Sequence, residues 1–305
     1  MSRSTLRTLL PLMSALFALY FIWGSTYLVI RVGVESWPPL MMAGIRFFVA
    51  GVILFTFLLL RGHNVPSMTQ WLAAGVIGIL LLAVGNGLVT VAEHLEVPSG
   101  IAAVMVATVP LFTLCFSRLF GMPNSRLEWT GVAMGLCGIV LLNTGSNLSG
   151  NPWGALLILL ASLSWAFGSV LSARVQLPKG LMAGAAEMII AGVVLLVVSR
   201  LSGEKLTHVP SASAFAALAY LVVLEPMIAI SAYMFLLKTV RPAIATSYAY
   251  VNPIVAVLLG IGFAGESLSR VEWLALGVIL SAVLLVTLGR FVFKPKPAPL
   301  DKVKV

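Results

Sequence analysis

The sequence predicts an all-α membrane protein of ten transmembrane helices, arranged as two inverted five-helix repeats. Three observations predict it. The 305 residues are 60% hydrophobic and only 10% charged, whereas a soluble domain carries about 25% charged residues. Apolar runs of bilayer length recur along the whole chain, divided by short polar connectors. The second half of the chain repeats the pattern of the first. A net charge of +9 does not point to nucleic acid, because the basic residues form no patch with interleaved aromatics. They stand singly or in pairs between apolar runs and in the C-terminal tail, as in loops facing anionic lipid.

A hydrocarbon core accepts roughly 20 apolar residues per helix. On that ruler the spans fall at 10–32, 40–60, 71–92, 99–120, 128–143, 153–173, 181–200, 212–237, 243–263 and 271–291. The first run follows Arg3 and Arg7 but has no small-residue cleavage site and is too long for a signal peptide, so it reads as a retained helix. Pro38-Pro39, Arg61 to Asn64, Met122 to Ser125 and Ser146 to Pro152 supply the turn chemistry between spans. Cys115 and Cys137 both lie inside apolar runs and read as small buried hydrophobes. His63, His94 and His208 sit in separate connectors without metal-ligand spacing.

Lys and Arg set the orientation. With the N-terminus in the cytoplasm, Arg3, Arg7, Arg61, Arg118, Arg126, Arg174, Lys179, Lys238, Arg241 and the basic tail lie inside. Only Arg31, Arg200, Lys205 and Arg270 lie outside. The bias places both termini in the cytoplasm of a multi-pass bacterial inner-membrane protein.

The repeat is legible in matched residues. Pro98 to Pro110 resembles Pro242 to Pro253, and Glu128-Trp129 recurs as Glu272-Trp273 at the same spacing to within one residue. Trp23-Gly24-Ser25 is echoed by Trp165 to Ser169. The first repeat occupies 1–145 and the second 146–305. Five spans per copy turn the second copy upside down, the arrangement of many secondary transporters.

On Trp23-Gly24-Ser25, Arg46-Phe47, Ala102 to Pro110, Trp165, Ala245 to Pro253 and Gly265-Glu266-Ser267, the chain resembles the EamA family of the drug/metabolite transporter superfamily. The resemblance covers nearly the whole chain. It implies a basket-shaped fold, a central cavity lined by helices 1, 3, 4, 6, 8 and 9, and export of amino acids or related metabolites. One departure stands out. Midway along helix 8, where the family usually carries small residues, this chain has Glu225-Pro226.

A charge at the bilayer centre costs about 2.5–3.5 kcal/mol, so charges inside spans single themselves out. Arg46, Glu187 and Glu225 are such residues. Arg46 reads as a structural ion pair, a snorkelling side chain or an anchor for a substrate carboxylate. Glu187, taken to lie at nearly the same depth in helix 7, is a candidate partner for Arg46. Glu225 reads as a proton carrier, as a ligand for a cationic substrate, or as a protonated group with no transport role. Pro110 and Pro253 each remove a mid-span backbone donor, which predicts kinks usable for gating. Candidate substrate contacts are Trp23, Tyr27, Asn86, Trp165, Tyr233, Tyr248 and Asn252, an aromatic box with two amides. Trp71, Trp129, Trp153 and Trp273 at span ends fit an interfacial belt instead. Gly131 and Gly135 read as helix packing or a face for a homodimer.

The expected function is secondary transport of amino acids or similar small molecules by alternating access, with the substrate and the lipid bilayer as partners and no cofactor. Export of organic cations or drugs is the neighbouring alternative. An embedded enzyme or lipid-handling protein is the alternative of a different class. It would require a nucleophile–base pair or metal cluster that the sequence does not suggest, and no P-loop is present.

Overall fold

A computed structural model describes residues 3–122, 125–149, 151–229, 232, 235–236 and 248–292. All regular elements among these are helical. Among the described residues, ten helices longer than a single turn stand where the hydropathy places them. They are α1 (Arg3–Val34), α2 (Pro39–Leu60), α3 (Met68–His94), α4 (Ser99–Leu119), α5 (Arg126–Asn143), α6 (Pro152–Ser172), α7 (Leu181–Leu201), α8 (from Ala212), α9 (Tyr248–Ala264) and α10 (Arg270–Val292). Seven are long and apolar enough to cross a membrane, and Ala212–Pro226 and Val251–Ala264 are shorter apolar helices. α5 completes the set. Arg126, Glu128 and Asn143 at its ends lower its mean hydropathy.

Local chemistry starts several of these helices. Ser67 with Gln70, Ser125 with Glu128, and Ser269 with Glu272 form capping boxes at α3, α5 and α10. Asn151 and Ser211 cap α6 and α8 through their side-chain oxygens. Each such bond satisfies a backbone N–H that has no partner inside its own helix. The matched Glu128 and Glu272 of the two repeats thus do the same work.

α2 and α4 begin differently. Each follows a proline, Pro38 or Pro98, that offers no side-chain cap. Their first donors are satisfied by carboxylates from distant connections. Glu204 accepts from Leu40 N (3.1 Å) and Met41 N (2.9 Å). Glu266 accepts from Ser99 N (2.7 Å), Ser99 Oγ (2.7 Å) and Gly100 N (3.0 Å). Negative charge at a helix N-terminus also complements the helix dipole.

The helices pack in exchanged pairs. α2 lies along α7, and α5 along α10. α1 contacts α8 and α9, while its counterpart α6 contacts α3 and α4. Swapping the two halves maps each of these contacts onto another. The α2–α7 seam is the tightest. A Cβ at Gly192 would strike the backbone nitrogen of Phe48, and one at Gly51 would lie 2.8 Å from Ile189 N. Small residues let the two backbones meet, which is how helices associate when lipid removes the hydrophobic drive. Gly131, Gly135 and Gly138 do the same for α5 against Leu111, Ile279, Ala282 and Val286. The Gly131/Gly135 face is therefore spent on packing within the chain and is not free to form a dimer.

Three helices are irregular at mid-height. α3 passes through a wide π turn at Ile79–Asn86, and α8 through another at Leu224–Ala229. These are the third helices of their repeats. α4 is broken between Val106 and Val109. Pro110 falls in the first turn of the second piece, where its missing N–H costs nothing. It opens a new helical segment rather than kinking a continuous one. Pro253, its match, sits buried inside the unbroken α9. The outer faces of the bundle carry exposed apolar side chains such as Phe17, Phe57, Leu119, Leu201 and Phe263, as a lipid-solvated surface must.

Gly192→Val is expected to destabilise the protein by about 1–3 kcal/mol through overpacking, with the backbone of α2 unable to yield. Gly184→Val, where an added Cβ meets nothing within 4 Å, is the matched control. Thermal unfolding in detergent should separate them, with a lowered Tm for the first and little change for the second.

Candidate functional site

The charged centre of the bundle is built on Arg46. This residue projects from α2 and is 1% exposed. Its Nη2 forms an ion pair with Glu225 Oε2, and its Nη1 donates to Asn86 Oδ1 at 3.2 Å. Its guanidinium also lies 4.7 Å from the Phe47 ring centroid. Glu225 belongs to the π turn of α8 and Asn86 ends the π turn of α3. One guanidinium therefore joins the irregular third helices of both repeats.

The wide turns explain why those side chains can reach it. A π turn inserts an extra residue and re-aims the side chains that follow. Pro226 has no N–H and its ring would crowd the preceding turn of a regular helix, so the widened turn accommodates Glu225-Pro226 where the family pattern expects small residues. In α3 the loosened backbone is completed from α6: Ser164 Oγ donates to Leu80 O at 2.7 Å. Thr90 Oγ1 donates to Asn86 O at 3.0 Å.

Arg46 does not pair with Glu187. The α2–α7 seam is antiparallel, and its contacts set Gly44 against Leu196, Phe48 against Gly192 and Gly51 against Ile189. That register puts Arg46 level with Val194 and Glu187 level with Ile53. The separation is about 10 Å along the axis at 1.5 Å per residue. Glu187 instead places its backbone against Gly78 of α3. The two residues are not at the same depth, and the expected pair is replaced by Arg46–Glu225.

Most of the aromatic candidates gather beside this centre. Trp23 of α1 meets Tyr248 of α9 edge to face, with centroids 4.7 Å apart. Tyr27, one turn above Trp23, feels the charges of Glu225 and Glu93. Asn252 lies one turn beyond Tyr248; its carbonyl oxygen faces Gly24, and its Oδ1 is buried without a hydrogen-bond partner among the described residues. Trp165 of α6 packs on Gly85, next to Asn86. Ser25 and Tyr220 share a 2.7 Å hydrogen bond that ties α1 to α8. Tyr233 lies outside the described residues. Trp129, Trp153 and Trp273 are exposed at helix ends, where an interfacial belt would have them.

A second polar group occupies one end of the bundle, the end carrying the connections around residues 35–38, 95–98, 144–151, 202–211 and 265–269. Arg31 Nη1 lies 3.4 Å from Glu266 Oε1, which also caps α4. His94 Nδ1 meets Val34 O at 3.2 Å, and Asn147 bridges to Ser267 O and Glu272. Asn151 Nδ2 donates to Leu95 O. At the opposite end, the matching segment after Gly121 carries Met122 where Glu266 stands, and Arg174 in place of Arg31. Arg174 donates to Phe120 O at 3.3 Å and stacks on that ring. The carboxylate latch is therefore present in one copy of the motif only.

Sequence reasoning did not find Glu204 or Glu266 as caps, nor Glu93 as a buried residue. A signal existed for the caps. Pro38 and Pro98 each precede a helix without a Ser, Thr, Asp or Asn cap, so the first N–H groups of those helices had to be satisfied from elsewhere.

The family follows from comparison. Two consecutive stretches, residues 10–144 and 152–288, match the model of the EamA-like transporter family. The chain belongs to that family. It is a multi-pass membrane transporter, and the two matched stretches are its two repeats. A relative described as "Uncharacterized inner membrane transporter YedA", from Escherichia coli K12, is 67% identical over 95% of each chain. "Protein PecM" from Dickeya dadantii is 28% identical over 92% of this chain and 94% of its own. A solved structure titled only "Crystal structure of protein" aligns with a TM-score of 0.62 over 91% of this chain and 97% of its own, at 20% identity. That likeness shows the fold alone.

Removing one partner of a buried ion pair costs about 3–5 kcal/mol, because the other charge is left uncompensated. Glu225→Leu is therefore expected to lower thermal stability in detergent markedly. The double variant Arg46→Met/Glu225→Leu should recover most of that loss. A double variant as unstable as the single one would show that the pair is not what the stability depends on.

Proposed function

We propose that the protein is a secondary exporter of amino acids or related small metabolites across the inner membrane, working by alternating access between inverted repeats with both termini in the cytoplasm. The observation that carries this reading is the Arg46–Glu225–Asn86 group, a buried cation paired with a half-buried carboxylate between the two repeats. A zwitterion carries the same two charges. Its carboxylate can take the Arg46 fork in place of Glu225, and its ammonium can take Glu225 in place of Arg46. No charge is left bare in the low-dielectric centre when the carrier empties, because the two side chains close on each other again. Trp23, Tyr27 and Tyr248 offer aromatic faces and edges for the substrate side chain, with Asn86 and Asn252 as amide contacts.

The exchanged packing of the halves supports the alternating part. A site straddling two repeats related by inversion faces one side or the other as the halves trade conformations. The names of the similar transporters support the inner-membrane location. Under this reading Glu225 is a substrate ligand paired with Arg46, not a proton carrier. Export of organic cations is disfavoured by the same pair, since Glu225 would have to leave Arg46 unpaired to receive a cation that brings no carboxylate.

Proteoliposomes loaded with a panel of amino acids and, separately, quaternary ammonium compounds test the reading. Efflux or counterflow of one or more amino acids is expected, with quaternary cations not carried. Glu225→Gln should weaken apparent affinity for the amino acid by about 10–100-fold, the loss of one charge-assisted contact of about 1.5–3 kcal/mol. Transport confined to quaternary cations would overturn it in favour of drug export.

A further inference from the structure

Among the described residues, one end of the bundle holds a fully buried carboxyl group that neither the packing nor the proposed substrate site uses. Glu93 lies in the last turn of α3 and is 3% exposed, and no described residue makes a hydrogen bond of normal geometry to either carboxylate oxygen. Its sequence neighbour His94 points away, to Val34 O. The charged groups whose fields reach it are Glu266, Arg31 and Arg46. Tyr27 of α1 also faces it. α6, the remaining helix against this end of α3 besides α2 and α4, carries no titratable side chain over Pro152–Ser172, and neither does the Ser99–Val106 piece of α4.

Arg31 is shared in this arrangement. Its field reaches Glu93, and its 3.4 Å ion pair is to Glu266. Its Nη1 has no hydrogen bond of normal geometry, so its hold on Glu266 is loose. Glu266 in turn has three tasks: it caps Ser99 N and Gly100 N, accepts from Ser99 Oγ and receives Arg31. Gly100 and Gly260 leave room for its carboxylate, which a Cβ at either position would crowd.

We infer that Glu93 is the proton-binding site of this carrier, and that its proton controls the latch which Arg31 and Glu266 close over the end of α4. With Glu93 protonated, the neutral acid leaves Arg31 to Glu266, the pairing this structure has, and the end stays shut. Loss of the proton to water creates a second buried carboxylate. An ionised carboxylate without a partner is strongly disfavoured there, so it recruits Arg31. Glu266 then loses its cation, and two neighbouring carboxylates repel each other. The cap on α4 loosens and this end of the bundle opens. A proton taken up from the outer side restores the latch. No bond other than the O–H of Glu93 is made or broken. The inference rests on the transport reading for its purpose, but the proton site and the latch are testable without any substrate.

The test uses the full chain in proteoliposomes with Cys115 and Cys137 replaced by Ser and a single reporter, Val97→Cys, buried under the latch. A membrane-impermeant maleimide reads opening. Labelling is expected to become several-fold faster from mildly acidic to alkaline pH. Glu93→Gln, the fixed mimic of the protonated acid, should abolish that rise and keep labelling slow, while Glu187→Gln, at a carboxyl group outside both the latch and the substrate site, should retain it. Glu266→Gln should label fast at every pH. Infrared spectra of the same samples should show one protonated-carboxyl component lost in Glu93→Gln. A pH-dependent rise that survives Glu93→Gln, an infrared band unchanged by it, or labelling that follows sodium rather than pH would overturn the proposal. Failure of the transport reading shows separately, as the absence of amino-acid counterflow with the pH-dependent labelling intact.

Discussion

Inside a bilayer no water reaches the backbone, so each polar group that a helix leaves open must be met by another part of the protein. That constraint organises this molecule. The π turn of α3 is completed by Ser164 of α6. The break in α4 at Thr108 is closed by its own hydroxyl, which donates to Met105 O at 2.5 Å. α2 and α4, which start behind prolines, take their caps from Glu204 and Glu266, well over a hundred residues away in sequence. Apart from the local Thr108 bond, each of these repairs also links helices of different repeats. The same bonds that satisfy the backbone therefore fix how the halves sit on each other.

Charge follows the same rule with larger stakes. Arg46 is almost wholly buried and is answered by one residue from each third helix. The π turns supply the geometry that a regular helix would not. Departure from regular helix and departure from apolar composition thus coincide at the centre of the bundle, where a carrier needs polar groups and mobility. Glycine does the opposite work at the α2–α7 and α5–α10 seams, where backbones touch and the halves are pinned. The molecule divides into tight seams on its flanks and irregular, polar helices between them.

The repeat is symmetric in packing but not in its latches. Gly121 and Gly265 both take a positive φ, 82° and 64°, and both precede a Ser-capped helix with a Glu-Trp pair. Only the second motif places a carboxylate after its glycine. That single difference gives one end of the bundle an ion pair and a helix cap and leaves the other with Arg174 against a carbonyl and a ring. Two halves of similar fold can in this way favour one conformation over its mirror.

The sequence by itself determined the membrane class, the order and approximate position of the helices, the repeat and the residues worth watching. These rest on composition, period and local capping, which are properties of neighbouring residues. Trp23, Tyr27, Asn86, Trp165, Tyr248, Asn252, Arg46 and Glu225 were all visible as polar or aromatic interruptions in apolar runs. Which of them meet was decided only by the tertiary structure. The register of α2 on α7, set by three glycines, takes Glu187 away from Arg46, and the π turn in α8 brings Glu225 to it. Glu93, one residue past the span at 71–92, read with His94 as the outer end of the third helix, in an exit path or a solvated loop; the folding of α1, α2, α4 and α6 around it made it a buried acid. Hydropathy measures the cost of a charge in lipid, but the partner that offsets the cost comes from another helix, and no local pattern encodes that meeting.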